Sequence, residues 1–197
     1  MNYMKFDIKG QPATEAYEEM FKTLLQESDR GVFIVATALL DSFMVELLRY
    51  ELKKCNSNKT VKEEFIKSLH SYHKRMTACH ALGFIPKDVH DELSLIKKIR
   101  NSTAHNYSNF SLDDIEDEIM RLSLADVNSN VWDLLNKAEK KSSKNPEEVS
   151  VSRLKFIFAM SVTNMLFYLS APMRGIDLDK YKESIENIKL KVKDRSS

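Results

Sequence analysis

The 197 residues carry thirty Lys and Arg against twenty-nine Asp and Glu, a net charge of +1, so no global field draws the chain to nucleic acid or to a membrane surface. Four glycines and four prolines are too few for the frequent turns of a many-stranded sheet. Two cysteines, Cys55 and Cys79, exclude a disulfide scaffold and suit a reducing cytosol.

The chain reads as helices from end to end. The N-terminus, Met1 to Asp7, has no apolar signal region, so a cytoplasmic protein is expected. The spacing of Tyr17, Met20, Phe21, Leu24 and Leu25 predicts a helix over Ala13–Gln26. Asp29 opens a long second helix whose apolar positions (Val32, Ile34, Val35, Ala38, Leu39, Phe43, Val45, Leu47, Leu48) wrap much of its circumference, which predicts a central position. Lys53, Lys54 and Asn56-Ser57-Asn58 end it. Thr60-Val61-Lys62-Glu63 has the pattern of a capping box and starts a short helix through Phe65, Ile66 and Leu69.

Helix continues over about 70–82 and stops at Gly83, a C′ glycine. Pro86 opens the next helix, where a missing N–H costs nothing. That helix turns Val89, Leu93, Leu95, Ile96 and Ile99 inward and runs to about Ala104. Ser111-Leu112-Asp113-Asp114 is a further N-cap with acids in the first turn, leading a helix to about Leu124. Val131, Trp132, Leu134 and Leu135 make one or two turns. The polar stretch 139–148, with Pro146, reads as a surface loop. An apolar helix follows over 152–169, and Pro172 and Gly175 break it. The run 156–173 is the most apolar of the chain, yet it contains Ser161, Thr163, Asn164 and Ser170 and falls short of a span. It is read as a core helix, and no membrane is expected. A last helix over 178–192 has a thin stripe of Tyr181, Ile185, Ile188 and Val192, and 193–197 is a flexible tail. The expectation is an all-α chain, one domain over 1–197 of about seven to eight helices, with its core in about 13–170.

Chemistry concentrates in Arg100-Asn101-Ser102-Thr103-Ala104-His105. Asn101 and His105 are four apart and share a helix face. Arg100 and His105 are five apart, about 140° round a regular helix. They meet on one substrate only if the helix ends near His105 or if a second chain supplies half the site. The parts are chemically apt. A guanidinium grips phosphate bidentately, and a histidine near a helix C-terminus exchanges a proton near neutral pH. The plainer reading is that Arg and His are ordinary dipole partners in a last turn, and that Asn101 pins a neighbouring helix.

His70, His73 and His80 beside Cys79 fall on one side if one helix carries them all. His73 and His80 would then lie ~10 Å apart along the axis, too far for one ion, and no metal or other cofactor is expected. Lys53-Lys54, Lys97-Lys98-Arg100 and the basic tail read as solvated faces. No helix-turn-helix with a basic reading helix, no glycine-rich phosphate loop and no serine elbow is present.

Three segments together carry a resemblance. They are Asp29-Arg30-Gly31 with Ala36-Thr37-Ala38-Leu39-Leu40-Asp41 and Glu46-Leu47-Leu48-Arg49; Ala81-Leu82-Gly83-Phe84-Ile85-Pro86 running into Leu93 to His105; and Ser152-Arg153-Leu154-Lys155-Phe156. Over roughly residues 25–170 the chain resembles the mannitol operon repressor-like family of bacterial regulators. Its Arg-Asn-x-x-Ala-His stretch is also similar to the Arg-x4-6-His motif of HEPN domains, a wider helical superfamily. The polar stretch 139–148 departs from the family pattern. The resemblance implies a HEPN-like helical bundle and regulation of transcription through a protein partner, not through direct DNA reading. In nuclease members of the superfamily the Arg, its polar neighbour and the His line a cleft between two protomers. Carried over, these roles fall on Arg100, Asn101 and His105. The alternative expectation is therefore a metal-independent endoribonuclease acting on RNA, with toxin activity in view. Either reading expects a homodimer with Arg100 and His105 at or beside the interface.

Overall fold

Helix boundaries follow from a handful of caps. The computed structural model describes residues 13–105, 110–122 and 152–176. Among them it contains seven α-helices and no strand: α1 (Ala13–Gln26), α2 (Gly31–Leu52), α3 (Lys59–Ser68), α4 (Tyr72–Ala81), α5 (Lys87–His105), α6 (Glu116–Met120) and α7 (Arg153–Ser170). Short 3-10 turns at Leu112–Ile115 and Pro172–Arg174 precede α6 and follow α7. The fold is all-α, as the composition requires. The expected segments at 123–151, including Trp132 and the 139–148 loop, and the expected helix and tail beyond 177 lie outside the described residues.

Ser28 sets the entry to α2. Its hydroxyl accepts the Gly31 N–H at 3.0 Å and its carbonyl the Val32 N–H at 3.0 Å, so the first turn winds from Asp29. A Cβ on Gly31 would stand 2.6 Å from Glu27 Oε2 and 2.9 Å from Ser28 Oγ, so a larger residue would have to displace both side chains. The start of α3 corrects the expected capping box. Asn58, in extended backbone, accepts the Thr60 N–H at 2.9 Å, so the cap lies two residues before Thr60. Glu63 instead reaches Arg49 of α2 at 3.7 Å.

The expected continuity over 70–82 is also corrected. α3 stops at Ser68, and Ser71 starts a new helix from an extended conformation with its hydroxyl accepting the Lys74 N–H at 3.3 Å. His70 sits in the break. At the other end, Gly83 closes α4 as expected. With φ at 73° it accepts the left-handed turn that non-glycine residues avoid. The Phe84 N–H reaches the Cys79 carbonyl at 2.8 Å and the Gly83 N–H the His80 carbonyl at 2.9 Å, the paired bonds of a Schellman motif. The Pro86 carbonyl then accepts the first bond of α5, from His90 N–H at 3.1 Å. Ser111 is the expected N-cap, and it forms a reciprocal cap with Asp114 that the sequence reading does not include; the expected helix to Leu124 is a 3-10 turn followed by the short α6, which ends at Met120.

The core is one cluster drawing on all seven helices. α2 packs on α1, α3, α4, α5 and α7. It buries Val32, Phe33, Ala36, Leu40, Phe43, Met44, Leu47 and Leu48 and leaves Ile34 at 57% exposure. Its apolar side is therefore a stripe shifted from the expected set, with Ile34, Ala38, Ser42 and Glu46 outside. α2, not 156–173, is the described helix long and apolar enough to cross a membrane by length and composition. Its five packing partners give that apolar stripe an interior to fill. α7 is the more enclosed, with thirteen buried residues between Leu154 and Ser170 and only the Met160, Asn164, Phe167 and Tyr168 side half-buried. Phe158 meets Phe33 edge-on at 4.5 Å. Even Lys155 is buried, its ammonium bonded to the Glu27 carbonyl and 3.7 Å from Asp29, which ties the start of α7 to the α1–α2 turn.

Candidate functional site

Two faces of α5 behave differently. Val89, Leu93, Ile96 and Ile99 are buried, and Thr103 continues that side, its hydroxyl bonded to the Arg100 carbonyl at 2.8 Å. Arg100 is exposed, and its Nη1 donates to Asn101 Oδ1 at 3.2 Å. That bond brings together two of the three expected site residues. Because the amide oxygen is occupied, the Asn101 amine remains as a donor. α5 runs helically to His105, but the side chain of His105 lies outside the described residues. Ser94, Lys97, Lys98, Asn101 and Ser102 line an open depression of about 350 Å³. All five are polar or cationic, and none is an acid. Lys98 also reaches Glu118 of α6 at 3.4 Å. Asn101 belongs to this polar wall and Arg100, one position away, does not line it.

The histidines are rearranged relative to the expected single face. His70 lies between helices with Nδ1 2.9 Å from the Ser68 carbonyl, and His73 is exposed on α4. No group of three His, Cys, Asp or Glu placed to hold a metal occurs among the described residues. His80 instead stacks on His90 of α5, ring centroids 4.8 Å apart and planes at 29°. That pair was not foreseen. The signal for it lies in the short turn, since residues at equal distances either side of position 85 face one another when two helices fold back.

A second cluster also went unread. Asp41 of α2 pairs with Arg75 of α4, while Asp41 Oδ1 and Arg75 Nε are buried with no hydrogen-bond partner. Tyr72 donates to the Leu93 carbonyl at 3.2 Å. Burial, with the Asp41 charge second, pushes its phenol far above the usual range. Cys79 sits beside the Met44 carbonyl, and burial pushes its thiol up to about 12. A thiol held neutral in this way is no nucleophile.

No protein-family model and no curated sequence matches the chain. One solved structure does. A chain of the MtlR–HPr complex from Escherichia coli, an X-ray structure, aligns with a TM-score of 0.53 at 14% identity, over 78% of this chain and 98% of that one. At that identity the likeness is one of fold. It extends over nearly the whole of the other chain, so the shared architecture is the full bundle and not a helix pair.

Within that architecture, α5 supplies an open wall of donors whose Lys98 is paired with the acid Glu118 of α6. A surface of this kind can take a carboxylate or phosphate on its basic side and a cation on its acidic side. A long polyanion would meet both signs.

Proposed function

We propose that this chain is a bacterial regulatory protein that works by holding a protein partner, in the manner implied by its resemblance to mannitol operon repressor-like regulators. The observation that carries the reading is the fold it shares with a chain solved as a complex with HPr. The neutral overall charge and the mixed-sign surface around α5 support protein recognition over DNA reading. In this reading the chain is a single HEPN-like domain over 1–197, acts in the cytoplasm as a homodimer, and needs neither a cofactor nor a membrane. Calorimetric titration with purified HPr is the direct test, with saturable binding expected in the micromolar range, about −8 kcal/mol. Absence of binding, together with tight and salt-sensitive retention of random duplex DNA, would remove the proposal.

A second reading is favoured by one observation. Among the described residues the exposed Arg100 guanidinium donates to a neutral amide, and in this reading its charge is offered to a phosphate. In this reading Arg100, Asn101 and His105 form a metal-independent ribonuclease site completed across a two-fold interface, because positions 100 and 105 diverge by about 140° on a continuous helix. RNA incubated with chelator should yield 2′,3′-cyclic ends, and Arg100→Ala and His105→Ala should abolish them. Sedimentation should show a species near twice 22.8 kDa. Cleavage by a strict monomer, or cleavage surviving both substitutions, would defeat the shared site.

A further inference from the structure

The depression lined by Ser94, Lys97, Lys98, Asn101 and Ser102 is given no ligand of its own by either reading above. Its residues form two rows along one side of α5: Ser94, Lys97 and Asn101 at spacings of three and four, and Ser94, Lys98 and Ser102 at spacings of four. Both margins are tied to neighbouring helices. Ser94 Oγ donates to Met76 Sδ of α4 at 3.4 Å, and Lys98 reaches Glu118 of α6 at 3.4 Å. Ser102 Oγ donates to the Lys98 carbonyl at 3.2 Å, so both hydroxyl protons are engaged inside the protein.

The donors that remain are those of Lys97, Lys98 and Asn101. A guanidinium has no acceptor, so the Asn101 atom that meets Arg100 is the amide oxygen. The N–H pair of that amide is left to the depression that Asn101 lines. Lys98 shares its ammonium with Glu118, while Lys97 makes no ion pair among the described residues. Lys97 is also half-buried, which strengthens its field over that of a fully solvated lysine. The opposing dipole at the C-terminal end of α5 acts within the last turn, and Ser94, Lys97, Lys98 and Asn101 all lie before it.

We propose that this depression binds the phosphate dianion of a small phosphomonoester, held by Lys97 and Asn101 with Lys98 at its edge. Size and charge select the class. A space of about 350 Å³ lies at the low end of small-molecule sites, and it suits a terminal phosphoryl group over an extended chain. Lys97, Lys98 and the adjoining Arg100 carry three positive charges against the one negative charge of Glu118, and the difference of two matches a dianion. A phosphomonoester presents three terminal oxygens, enough for an ammonium and an amide together. A carboxylate or an internal phosphodiester presents two.

The test is titration of the full chain with methyl phosphate, with a dissociation constant on the order of 1 mM expected at pH 7.5. Affinity should fall about tenfold at pH 5.0, where the phosphate keeps its second proton, while affinity for sulfate, a dianion at both values, should hold. Lys97→Gln should weaken methyl phosphate about tenfold. Lys67→Gln, which removes an exposed charge from α3, should leave it unchanged. Equal weakening by the two variants, or no saturable binding by the native chain, overturns the proposal. A single-stranded RNA without terminal phosphates, at the same phosphate concentration, should not displace methyl phosphate, and displacement would overturn the site in favour of a polyanion surface. Should Lys97→Gln fail to fold, the native chain decides. The amide resonances that methyl phosphate moves should gather over 94–102, and shifts spread among the lysines of the other helices would reject the site.

Discussion

α5 and α7 are almost the same length, 19 and 18 residues, and the two are put to opposite uses. α7 is buried over most of its surface, down to a lysine and three hydroxyl residues that bond to backbone carbonyls, and only the Met160, Asn164, Phe167 and Tyr168 side is half-buried. α5 buries one stripe and leaves a wall of lysine, amide and hydroxyl groups in the open. A helix buried over most of its surface contributes chiefly to stability and to the placing of others. A helix split between core and solvent can hold its position with one side and recognise a ligand with the other. The difference gives α7 the weight of the core and, under both proposed readings, α5 the recognition, and it can be broken residue by residue.

The largest expected effect lies in α7. Phe158 is fully buried against Phe33, so Phe158→Ala should cost about 3–5 kcal/mol in urea unfolding, from lost transfer energy and the cavity left behind. A loss under about 1 kcal/mol would mean that α7 is not the packed centre described. Next comes the clasp between α2 and α4. Asp41→Ala leaves Arg75 charged and without its carboxylate. The pair is 29% and 22% exposed, so water screens part of the loss, and about 1–3 kcal/mol is expected. Asp41→Ala combined with Arg75→Ala should cost less than the two separate losses added together, and strict additivity would show that the pair contributes nothing.

Alkaline pH should find the buried thiol. Cys79 has its folded value raised to about 12, above an unfolded value of about 8.5. Its contribution is therefore complete below the unfolded value and is lost as pH rises from there toward the folded one. Between these limits stability should fall by up to about 1.4 kcal/mol per pH unit. Cys79→Ala should flatten the profile up to the point, about pH 10, where the raised phenol of Tyr72 begins to act in the same direction. An unchanged slope in the variant would place the titration elsewhere.

What the sequence made legible was periodic and punctuated. The Val89, Leu93, Ile96, Ile99 stripe has helical spacing, Gly83 and Pro86 bracket a turn, and Ser111 is a short-range cap. Each of these is decided within a few residues. The misreadings share a different cause. Asn58 and Thr60 were both competent caps two residues apart, and only the backbone at 58 chooses between them. The break at Leu69 to Ser71 carries neither glycine nor proline, so nothing local announced it. On α2, Ile34 and Phe33 are adjacent and equally apolar, and the packing of α7 and of Phe110 selects Phe33. Asp41 with Arg75, and His80 with His90, are contacts between helices, which spacing along one helix cannot report. The motif of the candidate site was legible, down to the Arg100–Asn101 neighbours that bond to one another. The wall formed by Ser94, Lys97 and Lys98 beside Asn101 was not, because those residues read as an ordinary charged run.

The smallest expected change in stability is the sharpest test of the comparison. Arg100 is one position from Ile99, which is fully buried. Ile99→Ala should cost about 2–5 kcal/mol. Arg100→Ala removes an exposed side chain that, among the described residues, bonds to its neighbour's amide, and its stability should stay within about 0.5 kcal/mol of the native chain. If α5 divides its two sides between core and recognition, these adjacent substitutions separate cleanly. Ile99→Ala lowers stability and leaves intrinsic binding intact once the folded fraction is allowed for. Arg100→Ala keeps the fold and alters whatever α5 recognises. Under the partner reading, Arg100→Ala should shift the titration with HPr only if the partner reaches the Arg100 side of α5, whereas Lys97→Glu tests the depression itself. Under the ribonuclease reading, Arg100→Ala abolishes cleavage and Lys97→Glu weakens it through charge alone, an effect that added salt should diminish. A marked loss of stability in Arg100→Ala would show that this side of α5 is structural after all, and would remove the division of labour on which both readings rest.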